Sequence, residues 1–188
     1  MSDERRLYGW DVDRDGGYVR IEEGPFDDEG NDLVLFHGAV VDESVTINLQ
    51  LPRKGKLADF LYSPQLLLYV SERVLEVVKR GNVPNIRVNP VVLRDAKGRA
   101  VNDTYSWINP MLAVPLLDRE RSALRASPYG IERVEKLVIK KENVPPDDLF
   151  LLKELSLPIF TDTLVRPFEA AGLDGAVFEP IDTLTWGV

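Results

Sequence analysis

The period of the apolar positions changes several times along the chain. From Val45 to Leu51 it is two: Val45, Ile47, Leu49 and Leu51 fall on one side and Thr46, Asn48 and Gln50 on the other, the pattern of a half-buried strand. Leu66 to Val70 is a continuous apolar run, which suits a strand buried on both faces. Beyond Ser71 the spacing turns helical, with Val74, Leu75 and Val78 on one face and Val77 at its margin. Ser71 is a good N-cap, and Lys79 and Arg80 suit the negative end of a helix dipole. Gly81 can supply a left-handed C-cap. The spacing therefore predicts a helix over 71–80. Pro84 and Asn85 then turn the chain into a strand over 86–93.

The strand–helix–strand stretch 66–93 has a weaker echo at 156–183, ninety positions on. Ser71 maps to Thr161, Val74 to Leu164, Leu75 to Val165, Val78 to Phe168, Val88 to Phe178 and Pro90 to Pro180. Gly81 maps to Gly172 after one slip. The echo predicts a second helix over about 163–171, delayed or kinked by Pro167. A structural duplication and the convergence of common strand–helix signals both account for this echo.

The remaining pattern is β-rich. Residues 7–12 read as a strand, 13–17 as a turn and 18–22 as a second strand, together a hairpin. Residues 33–41, 102–109 and 133–139 read as further strands, with a turn at Lys97-Gly98 and an apolar element at Leu149–Leu152. The expected fold is α+β: one domain over 1–188, β-rich over 1–60, with a mixed or mostly antiparallel sheet and two principal helices.

Composition narrows the class. At 188 residues, 44% hydrophobic and 29% charged, the chain can bury one sizeable core. No apolar run reaches the roughly 18–20 residues of a membrane span, and MSDERRLYGW lacks the apolar stretch of a secretory signal. Cysteine is absent, which excludes disulfides and thiolate metal sites. The expected location is the cytoplasm, without a membrane partner. Neither a phosphate-cradling glycine loop nor a zincin, nucleophile-elbow or kinase signature is present, so no cofactor is implied.

Charge is unevenly spread around the net −8. Residues 1–60 hold 7 basic and 14 acidic groups, 61–142 hold 14 and 9, and 143–188 hold 2 and 8. Acidic ends repel nucleic acid and steer basic partners inward. The basic run 53–56 is too short to bind nucleic acid. Loop 23–32 concentrates the acids, and Asp27, Asp28, Glu29 and Asp32 are candidate contacts for a basic partner. A plain solvated loop is the alternative. Trp107 and Trp186 are candidate aromatic anchors, with core or edge packing as their other reading.

Three further groups invite chemistry. Asp11, Asp13, Asp15, Gly16 and Glu22 match the calcium-loop spacing, since alternating carboxylates can converge on a hard cation. Gly9, Gly24 and Pro25 deny that loop the two helices of a calcium hand, which favours the hairpin. His37 sits in an apolar run with no Ser or Asp placed locally for a triad, the setting of a packed histidine. Asp118, Arg119, Glu120, Arg121 and Ser122 form a charged segment in which Asp118 and Ser122 read as hydrogen-bonding supports.

An ordered series of motifs carries a resemblance. It comprises Leu7-Tyr8-x-Trp10, Asp59-Phe60-Leu61, the 66–93 stretch, Tyr105 to Asn109, LLDRERS (116–122), VIKKENVPPDDLFLLKE (138–154) and AAGLDGAVFEP (170–180). In this order it resembles a bacterial immunity-protein family of polymorphic toxin systems, of myxobacterial type and also catalogued as a domain of unknown function. The chain departs from the pattern at Phe150-Leu151-Leu152, where an Arg is expected after the Phe. The resemblance implies a non-enzymatic protein that binds and blocks a cognate toxin encoded by a neighbouring gene. It brings no catalytic residues, names no toxin chemistry and leaves homo-oligomerisation open.

Overall fold

In the computed structural model the described residues are 5–13, 15–21, 23–52, 55–63, 66–127, 130–182 and 186–187. The strands in chain order begin with β1 (Leu7–Val12), β2 (Glu23–Phe26), β3 (Ile47–Gln50), β4 (Phe60–Leu61) and β5 (Leu68–Ser71). Helix α1 (Glu72–Arg80) follows, then β6 (Ile86–Arg94), β7 (Ala100–Pro110), β8 (Ala113–Val114), β9 (Ala123–Ser127) and β10 (Gly130–Lys136). The chain closes with β11 (Leu149–Leu152), β12 (Leu157–Thr161), helix α2 (Asp162–Ala170), β13 (Ala176–Pro180) and β14 (Trp186–Gly187). A six-stranded sheet runs β2-β3-β6-β7-β5-β4, a five-stranded sheet β13-β1-β12-β11-β8, and a small one β14-β10-β9. The fold is α+β, with two helices and mixed sheets.

The echo in the sequence is a duplication of structure. In each unit the strands on either side of the helix are separated by one antiparallel strand. Ser106 of β7 pairs with Val70 of β5 on one side and Pro90 of β6 on the other. Tyr8 of β1 pairs with Phe160 of β12 and Pro180 of β13. Val70 to Phe160 and Pro90 to Pro180 are both steps of ninety, so the register is the same in both units. The outer strands match as well: Phe60 of β4 lies opposite Val70, and Leu149 of β11 lies opposite Phe160. The central strand differs in origin, since β7 follows its unit in sequence while β1 precedes everything else. The second unit is thus a circular permutation of the first.

Both helices turn their apolar faces into a shared core. Val74, Leu75 and Val78 of α1 meet Leu164, Val165 and Phe168 of α2, with Trp10, Phe60, Leu68 and Phe160 from the sheets. Phe168 stacks on Phe178 and meets Phe60 and Phe160 edge-on. Each such side chain is worth about 1.5–3 kcal/mol in apolar surface removed from water. Alternate residues face outward into two further cores. Tyr69, Val91 and Trp107 pack beneath the segment 19–51, and Phe150, Leu152 and Ile159 pack beneath residues from 112–144.

Several expectations need correction. Residues 18–21, the described part of the expected second strand, do not pair with β1. The partners of β1 are β12 and β13, while Val19 N–H donates to the Lys56 carbonyl and Ile21 N–H to the Tyr62 carbonyl. Residues 33–41 form no strand: Gly38 takes φ 82°, and its N–H donates to the Asn109 side chain rather than to a neighbouring strand. Pro167 does not delay α2, which has the nine-residue length of α1. Gly81 is extended at φ −85° rather than left-handed; a Cβ there would come within 2.6 Å of Leu164 Cδ2, so its role is close helix packing. The left-handed cap belongs to Gly172, φ 59°, where Gly172 N–H donates to the Glu169 carbonyl and Leu173 N–H to the Phe168 carbonyl.

Candidate partner-binding surface

Loop 27–32 is held by its own first acid. Asp27 Oδ1 accepts the Glu29 and Asn31 backbone N–H groups at 2.9 and 2.8 Å, and Oδ2 accepts Asn31 Nδ2 at 2.9 Å. The Asn31 side chain is the main reason its carboxyl sits below the ordinary value of 3.8. Asp28 is exposed and accepts Asn48 Nδ2 at 3.1 Å, while Glu29 and Asp32 also face solvent. Three of the four predicted acids therefore present charge outward, and Asp27 spends its oxygens on the turn.

The segment after this loop is irregular but tied at many points. Asn109, fully buried on β7, receives Gly38 N–H on Oδ1 and donates Nδ2 to the Ala39 carbonyl, each at 2.7 Å. Asn89, fully buried on β6, donates to the carbonyls of Asp42 and Val45 at 2.7 and 3.2 Å. Arg87 donates to the Val41 carbonyl at 3.1 Å. Buried side-chain amides thus replace the strand neighbour that the segment lacks. Leu35 and Ala39 plug the core below. His37 Nε2 bonds the Leu66 carbonyl at 3.1 Å, and burial pushes its pKa down to about 4 against that bond, so the ring is neutral and Nε2–H donates.

The other candidates fall elsewhere. Trp107 is wholly buried between Tyr69 and Asn89 in the sheet register, so it cannot be a surface anchor; its apolar bulk fills the core under the tied segment. Trp186 lies in β14, and its side chain lies outside the described residues. Asp13 Oδ1 caps its own turn by accepting the Asp15 and Gly16 N–H groups at 3.0 and 3.1 Å. Asp11 is in β1, opposite Val177, and Glu22 lies outside the described residues. Among the described residues no three His, Cys, Asp or Glu side chains gather as a metal site. Asp118 and Ser122 do act as supports: Asp118 Oδ1 accepts Arg121 N–H, and Ser122 Oγ bridges both backbone groups of Val138. Among the described residues no helix is long and apolar enough to cross a membrane.

What sequence reasoning missed is the outward half of the tied segment. Its apolar run reads as a buried strand, yet Val34, Phe36 and Val40 are 85%, 61% and 76% exposed. The one signal available was Gly38 in the middle of the run, a residue that interrupts strand patterns.

The architecture is thus that of an α+β protein whose carboxylates and amides serve as struts, with an acidic and apolar face on one sheet. The family profile described as Immunity protein family (Imm11) matches residues 17–183, and the chain belongs to that family. A search of curated proteins returned no match.

Proposed function

We propose that this chain is a non-catalytic immunity protein that neutralises a cognate toxin in the cytoplasm of the producing cell by binding it. Membership of the immunity family supports the role. The observation that carries the mode of action is the charge of residues 21–52, which include eight acids and neither Lys nor Arg. Such a strip draws a basic protein surface inward and fixes its orientation. Blocking by occlusion asks no chemistry of the immunity protein, only an interface with a desolvated centre and a complementary rim.

The test is co-expression with the toxin-domain protein encoded beside this chain, scoring growth rescue and co-purification. Reversing Asp28, Glu29 and Asp32 to Lys leaves the Asp27 turn intact. Association at low salt should then slow about tenfold or more, with a smaller effect at high salt. Unchanged association kinetics would remove the acidic loop from the interface.

A further inference from the structure

Among the described residues, the exposed large apolar side chains are Val34, Phe36, Val40, Val101 and Val177. Three of the five fall within seven consecutive residues, 34–40. Scattered exposed apolar residues need no explanation, but a concentrated and fully exposed set does. Here the concentration lies on a segment tied by side-chain hydrogen bonds at 37–39, 41, 42 and 45. The backbone carrying it is fixed from below by Asn109, Asn89, Arg87 and the neutral His37. Ordering costs of binding are therefore met largely in the free protein. Two buried asparagines are an expensive way to build a passive loop: Asn109 has both ends of its amide paired, and Asn89 spends its Nδ2 on the segment while its Oδ1 has no partner among the described residues.

The flanks carry charge of one sign. Asp28, Glu29 and Asp32 precede the apolar set and Asp42 and Glu43 follow it, all exposed. Asp42 Oδ1 accepts the Ser44 N–H and hydroxyl at 2.8 and 2.6 Å, which holds its carboxyl below 3.8 and ionised.

Building on the toxin-binding function proposed above, we infer that residues 34–40 are the apolar anchor of the interface. The surface they fit is a face of the toxin in which an apolar hollow that takes Val34, Phe36 and Val40 is ringed by Lys and Arg. The apolar centre governs how long the complex lasts, and the acidic flanks govern how fast it forms.

The experiment follows binding of the neighbouring toxin-domain protein to the full chain by stopped flow and surface resonance. The double variant Phe36→Ser/Val40→Ser should dissociate about 30-fold faster or more, with association changed less than about threefold. Val101→Ser/Val177→Ser, which removes exposed apolar groups elsewhere, should match the parent. An unaltered thermal midpoint for both variants confirms that the fold is kept. A parent that binds and protects while Phe36→Ser/Val40→Ser dissociates at the parental rate overturns the anchor and leaves the immunity function standing. A parent that neither binds nor protects overturns both. A parent that is dimeric alone, and made monomeric by Phe36→Ser/Val40→Ser, overturns the anchor by assigning the face to a second copy of this chain.

Discussion

Asp148 receives the hydroxyl of Thr161, the N-cap of α2, at 2.7 Å, and its other oxygen receives Asn82 N–H from the loop after α1 at 3.0 Å. The relation is mirrored in the other unit. Asp59 receives the Ser71 hydroxyl at the start of α1 at 2.6 Å and Asp174 N–H from the loop after α2 at 3.2 Å. Each carboxylate ties the beginning of its own helix to the end of the other. Neither N-cap hydroxyl bonds its helix's own N–H groups; each donates to its clasp.

Removing a clasp should therefore destabilise the whole fold. Asp148 is 4% exposed and also holds Arg5 at 2.6 Å, so Asp148→Ala orphans the Thr161 hydroxyl and Asn82 N–H and takes one of Arg5's acceptors. The expected cost is about 3 kcal/mol or more in urea unfolding, with Asp59→Ala about 2 kcal/mol because Arg73 there is largely exposed. In a double-mutant cycle, Asp148→Ala with Thr161→Val should cost clearly less than the two single changes added together. Strict additivity would show that the clasp contributes nothing as a pair.

Stability should fall with acid in two windows. His37 is neutral when folded down to about pH 4, while an unfolded histidine titrates near 6.5. Between these values the unfolded chain binds the extra proton, so stability is complete above 6.5 and declines as the pH falls toward 4. His37→Gln can keep the donor to the Leu66 carbonyl without titrating, and its urea midpoint should change less between pH 7 and pH 5. A second decline lies below the ordinary carboxylate value of 3.8. Burial pushes Asp148 up, but Thr161, Arg5 and Asn82 together outweigh it and hold its pKa low. Arg99 holds Asp95 at about 2 in the same way.

Asn109→Ala tests whether the apolar face is preorganised. It removes both bonds to the segment at Gly38 and Ala39. Amide exchange over residues 36–41 should accelerate far more than exchange in α1, and toxin dissociation should quicken although no contacting side chain has changed. Equal acceleration across the whole chain would mean that Asn109 is a general core residue with no particular hold on that segment.

The helices and strands β5, β6 and β7 were legible because their apolar spacing is local. Val74, Leu75 and Val78 announce a helix whatever surrounds them. The permuted duplication was legible only in part: a constant step of ninety finds Thr161 and Phe178, but no linear repeat can show that β1 takes the place of β7. The hairpin reading of 7–22 failed for the same reason, since the partners of β1 lie more than 150 residues away. At the candidate surface, the acidic loop was evident from composition. The anchor was not, because the side chains that tie its segment, Asn109 at Gly38 and Ala39 and Asn89 at Asp42 and Val45, come from far along the chain.

The placement of β1 bears on how the molecule is made. Synthesis delivers β4, β5, α1, β6 and β7 in succession, so the first unit can assemble as it emerges. Strand β1 leaves the ribosome before all of them, yet Leu7 has no sheet partner until Thr161 has been added. Until then β1 is an unclaimed edge, carrying Tyr8 and Trp10 and open to pairing with the wrong neighbour.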